Sequence, residues 1–196
     1  MKLVLQRVTR ASVVVEGQSV GSIGPGLVVL FGVQHGDTVS QAQKLARQLT
    51  GLRLWPSAED PTKQWAASVL DREFQLLVVS QFTLFATFKK PKPNFNRAMG
   101  GDEAKALYEI FVEECRSHIG GERVATGVFG AMMQVDLCND GPVTVELVAD
   151  PPASDAAGAA APSPDAGGQG ATASSPETGG QGAVAAAEQP GGTMAE

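Results

Sequence analysis

Two cysteines, two histidines and one tyrosine are all that 196 residues contain of those types, and each scarcity removes a class of protein. Cys115 and Cys138 are too widely separated for a CxxC unit and read as small apolar fillers. His35 and His118 stand far from each other and lie in no His-rich or Cys/His cluster, so no zinc site is expected. A Ser-His-Asp triad would have to recruit one of these two, and His118, closing an amphipathic helix, reads as a surface or capping residue. The chain has no HExxH, no P-loop and no GxGxxG, and Gly17-Gln18-Ser19-Val20-Gly21, which matches GxSxG as a string, falls in a hairpin and not at a strand-to-helix elbow. Its first apolar stretch, Leu3 to Leu5, is far too short for a signal peptide or a membrane span. A cytoplasmic, reduced protein without metal, cofactor or membrane is the expectation.

Charge is also missing from one end. From Asp150 to Glu196 there is no Lys or Arg, no aromatic residue and no leucine, only Ala, Gly, Pro, Ser, Thr and Gln with scattered acids and the lone Val184 and Met194. Such a segment has too little apolar surface to offset its ordering entropy, so residues 150–196 read as a disordered, low-complexity acidic tail. Asp150, Asp155, Asp165, Glu177, Glu188 and Glu196 carry the whole net charge of −6. Residues 1–149 are then one formally neutral domain, large enough for a single core. Neutrality excludes a bulk nucleic-acid binder of high pI, but not a local grip on a few phosphates.

Within 1–149 the pattern is mixed α and β: about seven strands, in packed sheets or a partly open barrel, with two main helices. Lys2 to Val8 alternates apolar and polar, and Ser12 to Val15 with Ser19 to Ile23 flank a hairpin turn at Glu16-Gly17-Gln18. Leu27 to Val33 and Gln75 to Gln81 read as buried strands, the first of them continuously apolar. Asp37 or Thr38 can cap a helix ending near Gly51. Arg53 to Trp55 reads as a short strand. Asp102 is expected to cap a second helix, with Ala106, Leu107, Ile110, Phe111 and Cys115 inward and Gly120-Gly121 at its end. Val124 to Thr126, Met132 to Leu137 and Val143 to Val148 complete the strands. Between helix and strand, Lys89-Lys90-Pro91-Lys92-Pro93-Asn94-Phe95-Asn96-Arg97 is too rich in proline for regular structure and reads as an exposed basic loop.

Two polar islands interrupt this pattern. Asn139-Asp140-Gly141-Pro142-Val143-Thr144 puts a Gly-Pro between two strand-like runs, which reads either as an ordinary hairpin turn or as a rigid functional corner, since proline donates no ladder hydrogen bond. Ser80-Gln81-Phe82-Thr83-Leu84 follows a buried strand and reads either as a strand exit with self-satisfied hydroxyls or as a site.

Taken together, the two islands resemble the D-aminoacyl-tRNA deacylases. The resemblance begins at Met1-Lys2-Leu3-Val4-Leu5-Gln6-Arg7-Val8, includes Gly32-Val33 and Gly36-Asp37-Thr38, passes through Gly127-Val128-Phe129-Gly130-Ala131 and covers essentially all of 1–149. It implies a homodimeric, cofactor-free hydrolase that cuts the ester between a D-amino acid and the 3′-terminal adenosine of tRNA, and also removes mischarged glycine. It further implies a cis Gly141-Pro142 bond, inserted from one subunit against Ser80, Gln81, Phe82 and Thr83 of the other, where it excludes an L side chain. Thr83 is a candidate nucleophile; the alternative has the substrate's 2′-hydroxyl assist water, backbone N–H groups near Phe82 and Thr83 hold the oxyanion, and Thr83 and Gln81 position substrate. Arg7 resembles the family's bracing arginine, and Phe129, Gly130, Ala131 and Met132 match the stretch beside the terminal adenine.

The basic loop departs from the family's Gly-x-Arg-Pro-Ser-Phe pattern. Lysine is a point charge that cannot copy an arginine fork, and Lys89, Lys90, Lys92 and Arg97 are the candidate phosphate contacts. Two other readings compete: a nucleic-acid binding module on the same fold with little or no hydrolysis, and a plain dimerisation domain that leaves the Ser80 to Leu84 island without purpose.

Overall fold

In the computed structural model, which describes residues 1–150, the alternating N-terminal run forms one strand instead of two: β1 spans Lys2–Val15. It is followed by β2 (Gln18–Ile23), β3 (Gly26–Gly32), α1 (Val39–Gly51), β4 (Gln75–Ser80), α2 (Gly101–Ile119), β5 (Val124–Thr126) and β6 (Gln134–Val148). Short 3₁₀ turns occupy Phe82–Phe85 and Gly121–Arg123. Of the tail expected at 150–196, residues 151–196 lie outside the described residues.

One edge of β1 pairs with β6 along nearly its whole length. The other edge is shared, Lys2 to Val8 pairing with β3 and Ala11 to Val15 with β2. From β3 the sheet continues through β4 to β5, both steps parallel. A parallel step needs a crossover, and α1 and α2 supply the two. The sheet then curls nearly closed. Gly21 of β2 lies so near β5 that a Cβ there would stand 2.5 Å from the Thr126 carbonyl oxygen, so glycine permits that approach.

Closure explains the continuous apolar runs, because β3 and β4 are covered on both faces. Val28, Leu77 and Val79 point inward with Val8, Val13 and Ile23 to fill the curled sheet. Leu27, Val29, Phe31, Leu76 and Val78 point outward beneath the helices, against Leu45, Leu49, Phe111 and Cys115. Each such fully buried side chain contributes about 1.5–3 kcal/mol.

Several local expectations need correction. Thr38 does cap α1, its N–H donating to Gln41 Oε1 at 2.7 Å, while Asp37 is buried and accepts from the Met1 ammonium at 2.6 Å and from the Gln34 N–H at 2.8 Å. Burial pulls that ammonium below its ordinary value against the opposing pull of Asp37. Asp102 does not cap α2; the N-cap is Gly100, which offers no side chain, and Asp102 stands in the first turn where a carboxylate favours the helix dipole. The inward stripe of α2 is Ala104, Leu107, Tyr108, Phe111, Val112, Cys115 and Ile119, with Ala106 exposed, as a 3.6-residue period through Leu107 and Phe111 requires. Arg53 to Trp55 forms no strand, only a bridge between Trp55 and Ala67.

The main difference concerns Gly141-Pro142. The strand expected at Met132 to Leu137 begins only at Gln134, and it and Val143 to Val148 belong to one strand, β6, so the Gly-Pro is not a hairpin turn. Val8 pairs with Asn139 and Gln6 with Thr144, so Arg7 alone faces four residues of β6, Asp140 to Val143. The three extra residues loop out as a large bulge of the special kind, which releases Pro142 from the ladder it cannot join. The peptide bond is cis, Gly141 has φ +114°, and both residues are exposed. Among the described residues no helix is long and apolar enough to cross a membrane.

Candidate active site

The carboxyl ends of parallel strands are where sheets of this kind leave room for ligands. β3 and β4 end side by side here, and the chain past each end bounds a cavity of about 350 Å³. Ser80, Gln81 and Phe82 form one wall and Phe31 and Val33 another; Met99, Gly100 and Gly101 at the start of α2 face Phe129 and Gly130 from the loop after β5. Phe95 closes the mouth, edge-on to Phe82 with ring centroids 4.9 Å apart.

The lining is mostly apolar and includes no His, Cys, Asp, Glu, Lys or Arg. Polarity comes from Ser80, Gln81 and main-chain groups. Gln81 follows β4 and precedes the 3₁₀ turn, and its side-chain amide donates to the Thr83 hydroxyl within that turn. Phe82 and Thr83 open that turn, so their N–H groups have no partner inside it.

Below the floor, Tyr108 stands as a pillar. Its hydroxyl donates to the Val78 carbonyl at 2.9 Å, and its ring packs against Phe31 at 5.8 Å and Phe129 at 5.5 Å, two residues that line the cavity. Burial drives the phenol well above its ordinary range, which keeps it protonated. Burial likewise pushes the Cys115 thiol up to about 12 and leaves it inert.

Of the residues singled out in the sequence, Ser80, Gln81, Phe82, Phe129 and Gly130 line this cavity. Thr83 lies beside it through Gln81, whereas Ala131 and Met132 lie outside its lining, Met132 being 91% exposed. Arg7, Gly141 and Pro142 gather elsewhere. The Arg7 guanidinium pairs with Asp140 at 2.9 Å and donates to the Leu54 carbonyl at 2.6 Å, bracing the flank of the bulge. Within one chain the two polar islands do not share a cavity.

Lys89, Lys90, Lys92 and Arg97 line a second hollow of about 610 Å³ with Thr87, Asn94 and Asn96. Paired backbone hydrogen bonds between Thr87 and Asn94, at 2.8 and 2.9 Å, pin the base of this loop. Phe95, next in sequence, belongs to the cavity mouth, so the hollow and the cavity are neighbours.

Phe31, Val33, Phe95, Met99, Gly100 and Gly101 were not singled out beforehand. Phe31 and Val33 looked like ordinary strand core. The Met-Gly-Gly preceding a helix was the available signal, because paired glycines leave a helix start open to a neighbour. Neither His35 nor His118 lines the cavity; His118 faces Glu114 at 3.3 Å one turn back on α2. Among the described residues no three His, Cys, Asp or Glu side chains converge to hold a metal ion.

The fold and the cavity define a mixed α/β domain whose parallel strands end at a mostly apolar pocket with no ionisable side chain in its lining. Comparison with known proteins gives the family. A model described as D-Tyr-tRNA(Tyr) deacylase matches residues 4–148. D-aminoacyl-tRNA deacylase 1 of Bos taurus is 43% identical over 164 residues, 84% of this chain and 75% of the relative, and D-aminoacyl-tRNA deacylase of Dehalococcoides mccartyi (strain CBDB1) is 49% identical over 148 residues, 75% and 94%. The solved structure of the c-Myc DNA unwinding element binding protein superimposes with a TM-score of 0.73 at 42% identity, covering 76% of this chain and 99% of that one. The chain belongs to the D-Tyr-tRNA(Tyr) deacylase family.

Proposed function

We propose that the protein hydrolyses the ester of D-aminoacyl-tRNA, and of mischarged glycyl-tRNA, releasing the free amino acid and the tRNA. The observation that carries this reading is the Ser80-Gln81-Phe82 wall of a cavity with no ionisable side chain, in a chain whose relatives are named deacylases. With no general base in the lining, rate acceleration has to come from orientation and oxyanion stabilisation, worth several kcal/mol each when donors are preorganised. The N–H groups of Phe82 and Thr83 serve as those donors, the substrate's 2′-hydroxyl assists water, and Gln81 and Thr83 position the ester. Thr83, already accepting from Gln81, is better suited to that than to attack.

Selectivity belongs to Gly141-Pro142 of the second subunit of a homodimer. Its exposed corner presents backbone and a compact ring where an L side chain would project, and glycine passes the same filter. Arg7 braces that corner, Phe129 and Gly130 with Ala131 and Met132 border the terminal adenosine, and Lys89, Lys90, Lys92 and Arg97 meet phosphates of the tRNA end. Residues 1–149 carry these functions, in the cytoplasm where charged tRNA is found.

Incubation with D-tyrosyl-, L-tyrosyl- and glycyl-tRNA tests the reading, with release from the D and glycyl substrates expected and none from the L. Thr83→Ala should weaken turnover without abolishing it, and a 2′-deoxy terminal adenosine should react poorly. A full rate on the deoxy substrate with no turnover by Thr83→Ala would return the nucleophile to Thr83. A second reading, a nucleic-acid binding module, is favoured by the basic hollow and by the name of the DNA unwinding element binding protein. Retained tRNA binding with no release from any substrate would select it.

A further inference from the structure

The bulge that carries Gly141-Pro142 leaves a gap in the ladder, and the gap is filled by one side chain. Arg7 faces four residues of β6, so no backbone N–H of that strand stands opposite its carbonyl. Asn139 Nδ2 stands there instead, donating to the Arg7 carbonyl at 2.7 Å and to the Val143 carbonyl at 3.3 Å. A single amide nitrogen thus ties β1 to the far end of the bulge, while its own residue forms the near end. Its oxygen lies 3.5 Å from the Thr144 hydroxyl, which donates to it.

We infer that Asn139 is a positioning residue for stereoselectivity, setting the place of Gly141-Pro142 by closing the base of the bulge. The inference rests on the proposed reading of Gly141-Pro142 as the selector. A corner that works by excluding a side chain must hold its place to within a fraction of an ångström, since a displacement of about 1 Å is enough to admit a methyl group or lose alignment. The bulge has two supports. Arg7 and Asp140 hold its outer flank, and Asn139 holds its base. Both acceptors at the base are carbonyls, so only a donor fits. Aspartate has the same volume and would set a carboxylate against both of them; alanine leaves both unpaired; serine keeps one donor.

The test is a series at Asn139, with Gly141→Ala as comparator. kcat/KM is measured on D-tyrosyl- and L-tyrosyl-tRNA, and melting temperature is measured in parallel. The D/L ratio should fall about tenfold or more in Asn139→Ala and at least as far in Asn139→Asp, with Asn139→Ser between these and the unmodified protein. The D rate should change by less than about threefold, so that loss appears as admission of the L substrate. A ratio unchanged in all three Asn139 variants, beside an altered ratio in Gly141→Ala, would overturn the role of Asn139 and leave the selector reading standing. A ratio unchanged in Gly141→Ala as well would overturn the selector reading itself. If Asn139→Asp fails to fold, the serine and alanine variants decide the matter.

Discussion

Tyr108 supports the pocket floor without entering the chemistry, and two substitutions separate these statements. Tyr108→Phe removes the hydroxyl that donates to the Val78 carbonyl at 2.9 Å. That carbonyl also accepts the Gly127 N–H at 3.0 Å, so it keeps a partner and the loss is the net value of one hydrogen bond, about 1 kcal/mol. In a domain of this size the melting temperature should fall by about 3 °C. Tyr108→Ala removes a ring packed between Phe31 and Phe129 and leaves a cavity, costing about 3–5 kcal/mol. Urea unfolding at constant m reads both values, and hydrolysis of D-tyrosyl-tRNA reads the site. The phenylalanine variant should keep nearly full turnover, because the phenol is buried, held protonated and turned toward Val78. The alanine variant should lose turnover even when folded, since Phe129 lines the cavity and loses its backing. A drop of about 100-fold or more in Tyr108→Phe, the size expected for a missing general acid, would refute the account of a site without ionisable groups.

Two further expectations follow from burial and charge. Replacing Lys89, Lys90, Lys92 and Arg97 with glutamine should make the slope of log K against log[salt] for tRNA binding shallower by about 3, from a single-strand value of about 0.7 per phosphate contact; an unchanged slope would remove these residues from the phosphate grip. In a Cys138→Ser background no thiol should react with a disulfide reagent near pH 8 until denaturant is added, because Cys115 is fully buried and its thiol is pushed up to about 12. Rapid labelling of the folded protein would mean that α2 opens locally.

The elements built from contiguous apolar runs were legible in the chain. β3 and β4 follow from Leu27 to Gly32 and Leu76 to Val79, and α1 from Thr38 and the stripe through Ala42, Leu45 and Leu49. Ser80 and Gln81 were legible as a polar strand end, and the structure places them with Phe82 in the wall of a cavity, because the end of a buried parallel strand reaches the surface where that fold leaves a crevice. Tyr108 was not, although a helical period through Leu107 and Phe111 would have placed it inward. Nor was Phe95, whose place at the cavity mouth depends on a loop pinned by Thr87 and Asn94, seven residues apart.

By itself, then, the sequence determined which segments could be buried, where the composition changes at residue 150, and which two polar islands needed explanation. Tertiary structure alone decided what Gly141-Pro142 is. Local turn chemistry is the same for a hairpin and for a bulge, and only the register, with Arg7 alone opposite Asp140 to Val143, distinguishes them. Register is a property of two strands whose paired residues are more than a hundred positions apart. It depends on which faces the two strands bury against each other's neighbours, and contacts across the pair, such as Asn139 to the Arg7 carbonyl, exist only once the strands have met.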